Sequence, residues 1–266
     1  MLIKFSFISR VILSLLLIAP TSHATEDKDK SPWQLLKQLH FPDRSIRNNA
    51  EDLLFIEVPN QVEDAAIMPI TIKSLAAQTT EYHIKTLHLI VDNNPQAYSA
   101  AFHLSPELGA ITLSTRIRMD SFSNVRVIAE MNDNSLHMIE KFVVAAGGCS
   151  APANKDRAVA LARLGKVQIR TRPAITGQQS TAQVIISHPN ASGMQFDEAS
   201  RQFIPAHYVT NIKISFNNET LINAETGITI SENPSIRFHF TPESAGILKA
   251  EIIDSKQKLF ISEKRL

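Results

Sequence analysis

The chain has 266 residues, 27 basic and 26 acidic side chains, and is 44% apolar and 20% charged. That is the make-up of a globular protein with material for one large or two modest domains, and a formal net charge of +1 excludes strong overall attraction to nucleic acid or an anionic membrane. A single cysteine excludes a disulfide framework within the chain, and no C-x-x-C-H run is present to attach a c-type haem.

Lys4 and Arg10 flank the start of the apolar run Val11–Ala19, Pro20 breaks it, and Ser22-His23-Ala24 supplies small residues for cleavage. This pattern predicts an export signal over residues 1–24, with an apolar run too short for a permanent membrane span. Its removal takes away two basic residues, leaving 25 against 26 and a mature charge of −1. The expected compartment is the periplasm, where an unpaired thiol has no easy resting state.

Residues 25–32 are charged and read as a short lead. Trp33, Leu35, Leu36 and Leu39 fall near helical spacing behind Ser31-Pro32, which predicts a short amphipathic helix with a hydroxyl cap. A second helical turn is expected around Asn49–Leu54. From about residue 67 the period changes to two. Ile70 and Ile72 alternate with polar residues, Ile84 to Val91 forms the next run, and Asp92-Asn93-Asn94-Pro95 ends it. Ile111 to Met119 and Val125 to Met131 alternate on either side of a turn at 120–124, and Leu136–Val144 makes one more run. Repeated this often, the pattern predicts an antiparallel sandwich.

Residues 145–165 interrupt it with small residues, and a short helix is expected from Arg157 to Leu164, capped by Asn154-Lys155-Asp156 and stopped by Gly165. Strands then resume at Val167–Arg172, Thr181–Ser187, Tyr208–Phe216, Ser235–Phe240 and Ile247–Ile253. The fold class is all-β: two β-sandwich domains, 33–146 and 166–266, after a short N-terminal helical segment and joined by a small-residue linker over 147–165.

Cys149 lies in Ala145-Ala146-Gly147-Gly148-Cys149-Ser150-Ala151-Pro152-Ala153. Free cysteine is commonly a small core residue, but these neighbours carry at most a methyl, a hydroxyl or a proline ring. A stretch with so little to bury is expected to stay mobile and to leave the thiol exposed. No base or helix dipole adjoins it in sequence to activate it. Attachment is the use that fits: the arm supplies reach, a partner enzyme supplies activation, and Gly147 and Gly148 keep the backbone thin enough for a narrow channel.

Here the sequence resembles a family. Gly147-Gly148-Cys149 at the end of a β domain, with Arg116-Ile117-Arg118 and Asn124-Val125-Arg126-Val127 upstream, is similar to SoxY, one subunit of the sulfur-oxidation carrier SoxYZ. Ile186-Ser187-His188-Pro189, Ile204-Pro205-Ala206-His207-Tyr208 and Asn233-Pro234 resemble SoxZ, its partner. The resemblance spans roughly residues 35–260. It implies two immunoglobulin-like sandwiches and a carrier, not an enzyme, in which sulfur intermediates ride on Cys149 as a thiosulfonate or persulfide, with residues 145–148 and 150–152 as the arm. SoxY ends shortly after its cysteine, whereas here Ser150-Ala151-Pro152 follows and the chain runs on. The two subunits are fused, as in SoxYZ-like carriers associated with PQQ-dependent quinoprotein dehydrogenases. The implied partners are sulfur-oxidation enzymes or such a dehydrogenase with its cytochrome, with a disulfide-linked homodimer through Cys149 as a further form. Nucleic acid, membrane, metal and cofactor are not expected. The competing reading is a non-covalent accessory module for the dehydrogenase, with Cys149 incidental.

Four histidines of the first half, His83, His88, His103 and His137, show no metal-ligand spacing and read as solvent-facing strand residues. His188 and His207 lie beside prolines, where turn hydrogen bonding is expected, the competing role being a docking surface near the arm. Arg116, Arg118 and Arg126 are expected on a solvated face, from which they are positioned to greet an anionic group on the arm.

Overall fold

The computed structural model describes residues 30–76, 78–151, 157–172 and 176–266. The expected export signal, Pro152 and the Asn154–Asp156 cap lie outside them. Among the described residues no helix is long and apolar enough to cross a membrane.

Helix α1 (Pro32–His40) starts as its sequence predicts. Ser31 accepts the Gln34 N–H and the Gln34 side chain returns the bond, a reciprocal cap that satisfies two otherwise free N–H groups. The expected turn at 49–54 is present as a hydrogen-bonded turn, with Leu53 and Leu54 N–H groups on the Ala50 carbonyl, not as a helix. The first half supplies strands β1 (Ile46–Arg47), β2 (Leu54–Glu57), β3 (Met68–Ser74), β4 (Ile84–Val91), β5 (Tyr98–Leu104), β6 (Thr112–Ile117), β7 (Ser123–Met131) and β8 (Leu136–Val143). After α2 (Arg157–Ala162) the second half supplies β9 (Val167–Thr171), β10 (Ser180–Ile186), β11 (Phe196–Asp197), β12 (Gln202–Phe203), β13 (Val209–Phe216), β14 (Glu219–Thr226), β15 (Ser235–Phe240), β16 (Ile247–Asp254) and β17 (Leu259–Arg265).

The two halves share both of their main sheets. A nine-stranded sheet runs β1-β8-β7-β4-β5-β14-β13-β16-β17, and a six-stranded sheet runs β2-β3-β6-β15-β10-β9. The seam is crossed twice: β5 pairs with β14 from Ala100↔Thr226 to Leu104↔Ile222, and β6 pairs with β15 at Leu113↔Phe238 and Ser114↔Arg237. Between the sheets lies one continuous apolar core that includes Phe102 and Leu113 from the first half and Ile222 and Phe238 from the second.

The strands β5, β14 and β17 escape the period-two reading. Ser99 through Phe102 of β5 are all buried, because small residues, Ser99 and Ala101, stand on the face that would otherwise be polar. A second, smaller core explains the long apolar run of β4. Helix α1 lies over the outer face of the large sheet, where Trp33 and Leu36 pack on Phe41, Ile90, Ile128, Leu136 and Met138.

Candidate functional site

Cys149 sits at the seam, and its surroundings correct the expected exposure. Strand β8 leads into Val144, whose N–H donates to the Asn60 carbonyl at 2.9 Å. Ala145 turns inward and is buried, while Ala146 and Gly147 are exposed. Gly147 adopts a left-handed conformation, φ +80°, which a residue with a Cβ rarely takes. Its N–H donates to the Asp120 carbonyl at 2.9 Å, and the Gly148 N–H donates to the Met119 carbonyl at 2.8 Å. The Cys149 carbonyl accepts the Ser192 hydroxyl of the second half at 2.6 Å. Cys149 is 0% exposed. Ser150 is exposed, with its hydroxyl on the Gly147 carbonyl, and Ala151 is half-buried.

The physical reason is backbone packing. A chain without bulky side chains is thin enough to lie against other backbone, and at Gly148 it does. A Cβ there would meet the Ala65 carbonyl oxygen at 2.1 Å and the Met119 oxygen at 2.8 Å, so no other residue fits. The glycines that suit a channel also let the arm dock into its own protein.

Docking sets the chemistry of the thiol. Burial pushes the Cys149 pKa up to about 12, and the Asp120 carboxylate adds to the shift while Arg118 opposes it. At neutral pH the docked sulfur is a protonated thiol, which is neither a nucleophile nor a metal ligand.

Arg118 and Arg126 leave the expected solvated face, since both are buried. Arg118 donates from Nη1 to the carbonyls of Ile228 at 3.0 Å and Ile230 at 2.6 Å, and its backbone N–H reaches the Thr229 carbonyl at 2.7 Å. It thus ties β6 to the loop before β15, directly behind the docked arm. Burial lowers its pKa, with Cys149 and Glu232 working in the other direction. Arg126 forms a bidentate pair with Asp92, also bonds Glu140, and lies 4.5 Å from the Trp33 ring centre, so it anchors α1. Arg116 is half-buried and donates to the Asn233 carbonyl at 2.8 Å.

The first-half histidines do not converge. His83 bonds the Thr79 carbonyl, His103 bonds Thr86, and His137 bonds Ser135 and Arg47. His88 is buried, not solvent-facing, between Tyr98 at 2.5 Å and Glu130 at 3.2 Å. What sequence reasoning misses is a buried cluster in the second half. His207 Nε2 lies 2.8 Å from Asp254 Oδ2, His188 Nε2 lies 3.7 Å from the same oxygen, and the two rings meet edge to face at 4.6 Å. Their ligand atoms fall within 4.8 Å of one another. Of the two rings only His207 bonds Asp254, and His188 Nε2 is left without a hydrogen-bond partner among the described residues. His188 Nδ1 accepts the Asn190 N–H at 3.0 Å, so in the neutral ring Nε2 carries the proton and offers no lone pair. Burial first, then neighbouring His207, lowers the His188 pKa to about 4. Burial works against ionisation of Asp254, but His207 and the N–H groups of Lys256 and Lys258 outweigh it and lower its pKa. The expected turn hydrogen bonding is present, and it serves the arm: the His207 N–H holds the Ala191 carbonyl, next to the Ser192 that grips Cys149.

Comparison with known proteins matches two family models to this chain: sulfur oxidation protein SoxY over residues 39–149, and sulphur oxidation protein SoxZ over 169–265. The chain belongs to the SoxYZ sulfur carriers, with both modules fused in one polypeptide. The SoxY match ends on Cys149 itself. The solved structure of the sulfur carrier protein SoxY from Chlorobium limicola f thiosulfatophilum aligns at 18% identity over 43% of this chain and 91% of that one, with a TM-score of 0.36. A superoxide reductase (neelaredoxin) from Ignicoccus hospitalis aligns at 15% identity over 43% and 88%, with a TM-score of 0.30. No curated protein matches. SoxY and SoxZ are carrier proteins and not enzymes, and the seam of the fused SoxYZ chain is where its two modules enclose the cysteine.

Proposed function

We propose that this fused SoxYZ protein is a periplasmic carrier that holds a sulfur-containing or other thiol-reactive intermediate covalently on Cys149, and that the docked arm is its resting, protected state. The observation that supports this is how lightly Cys149 is held. The last residue of the SoxY match is fixed by backbone hydrogen bonds at Gly147 and Gly148 and by one hydroxyl at its own carbonyl. With the hydrogen bond between the thiol and Asp120, these bonds among the described residues are together worth roughly 4 kcal/mol before side-chain burial is added, so local undocking is cheaper than unfolding. Undocked, the thiol returns to its ordinary acidity. Sulfur transfer from a donor persulfide then replaces the thiol proton, giving a Cys149 persulfide and the donor thiol with no net redox change. Formation of a thiosulfonate from thiosulfate instead removes two electrons, which an acceptor on a partner protein must take.

Intact-mass analysis of the protein isolated from its native compartment tests the reading. The expected result is a sulfur adduct on Cys149, lost in Cys149→Ser along with pathway flux. An unmodified chain, with flux intact in the variant, would sink it.

The burial of Cys149 favours a second reading, a non-covalent accessory module for a quinoprotein dehydrogenase in which the cysteine only packs the seam. Dehydrogenase binding that survives Cys149→Ser, with no adduct in the wild type, selects it. A disulfide-linked homodimer requires the arm to leave its dock in both copies.

A further inference from the structure

The outer face of the six-stranded sheet concentrates positive charge that the whole chain does not have. Strand pairing sets its side chains in aligned rows. One row runs Thr71, Ser114, Arg237, Gln183, Arg170 across β3, β6, β15, β10 and β9. The row on one side carries Lys73, Thr112, His239 and Thr181, with Arg172 hydrogen-bonded to Thr181 just past the end of β9. The row on the other side carries Pro69, Arg116, Ser235, Ile185 and Gln168. Five permanent cations therefore share one face with hydroxyls and amides. The acid at its border is Glu57 on β2, already 3.6 Å from Lys73. Arg170, Arg172 and Arg237 also line an open depression of about 200 Å³ with Thr181 and Gln183.

Buried groups cannot explain this charge, because Arg170, Arg172 and Arg237 are exposed. Two of them are aimed by neighbours: Arg170 donates to Gln168 at 2.9 Å and Arg237 to Gln183 at 3.2 Å. Five strands spaced about 4.8 Å apart make a plane about 20 Å wide, which suits a protein surface. The rings on this face are His239 and, opposite Lys73 on β2, Phe55, which Lys73 covers, so there is no row of free rings on which successive bases stack, and the rows hold no amphipathic helix to enter a bilayer. At one end the face reaches Arg116, two residues before the Arg118 that backs the docked Cys149.

We propose that this face is a docking surface for an acidic protein partner, spanning the SoxY and SoxZ halves and holding the partner beside the arm. The inference does not depend on what Cys149 carries. Steering by opposite charge raises encounter rates and fades with salt.

Fluorescently labelled poly-L-glutamate titrated against the full chain by anisotropy, at 50 mM and 300 mM salt, tests it. The expected result is binding that weakens steeply with salt and falls about tenfold in the double variant Arg170→Glu, Arg237→Glu, with thermal stability unchanged. A control pair on the large sheet, Lys213→Glu with Lys249→Glu, should leave binding as it is. If the double reversal misfolds, Arg170→Gln with Arg237→Gln replaces it. No binding, equal binding by both charge variants, or tighter binding to phosphatidylglycerol vesicles or to an oligonucleotide would overturn the proposal.

Discussion

The Ser192 hydroxyl donates a 2.6 Å hydrogen bond to the Cys149 carbonyl, joining a loop of the SoxZ half to the last residue of the SoxY match. This is the bond by which one module holds the other's cysteine in place. Ser192→Ala removes the donor and leaves a buried carbonyl unpaired, a loss of about 1–1.5 kcal/mol. The reaction of Cys149 with an aromatic disulfide reagent should accelerate about tenfold, with the global unfolding midpoint nearly unchanged. An unchanged rate would show that this bond does not restrain the arm.

Gly148→Ala tests docking more severely. Its methyl has no space against the Ala65 and Met119 carbonyl oxygens, which are backbone atoms and not the ends of flexible side chains. The arm should leave its dock, raising thiol reactivity roughly 100-fold while far-ultraviolet circular dichroism stays the same. Gly147→Ala has open space around its added methyl and suffers only the strain of φ +80°, so its effect should be smaller.

The pH dependence of that reactivity carries a signature. Burial first, then Asp120, raises the docked thiol from its ordinary 9.0 to about 12. The docked state therefore binds the proton more tightly than the undocked one. Docking stability is fully present below pH 9 and is lost progressively as pH rises from there towards 12. A free thiol levels off in reactivity near pH 9. Wild-type Cys149 should instead keep gaining about tenfold per pH unit through pH 10, whereas Gly148→Ala should level off. Stopped-flow alkylation between pH 7 and 10.5 distinguishes the two curves, and a plateau at 9 in the wild type would refute docking in solution.

The shared core predicts cooperativity between the halves. Phe102 is 0% exposed on β5 and pairs with Ala224 across the seam. Phe102→Ala should cost about 3–5 kcal/mol and lower one common unfolding transition. Calorimetry that resolves two transitions, only the first displaced, would mean that each half folds by itself.

Asp254 gathers four donors or near-donors: His207, His188 and the N–H groups of Lys256 and Lys258. Asp254→Asn keeps the shape, removes the charge and turns one acceptor into a donor facing imidazole N–H groups. A loss of about 2–3 kcal/mol is expected, together with faster thiol modification, because the His207 backbone holds the loop that carries Ser192. Destabilisation without any change at Cys149 would separate the cluster from the arm.

Local pattern was enough to read α1, most strands of both halves and the SoxY and SoxZ signatures. Each of these rests on spacing within a few residues: the Ser31 cap, the alternation along β3, β6 and β10, and the Gly147-Gly148-Cys149 run. The strands that alternation overlooks include β5 and β14, and these are the two that pair across the seam. In β5 the small residues Ser99, Ala100 and Ala101 are buried on both faces of the strand, so no polar residue marks a period of two. The same cause hides the arm's position. Composition correctly describes a segment with nothing large to bury, but a thin backbone is also the one shape that fits beneath Ala65 and Met119. Whether it swings free or docks depends on carbonyls 29 and 83 residues before Gly148 in the chain. Likewise Arg118, His188, His207 and Asp254 are ordinary polar residues until the fold buries them. One chain segment sets its own hydrogen-bond preferences and periodicity; partners brought from elsewhere set burial, acidity and access, and at Cys149 those decide the chemistry.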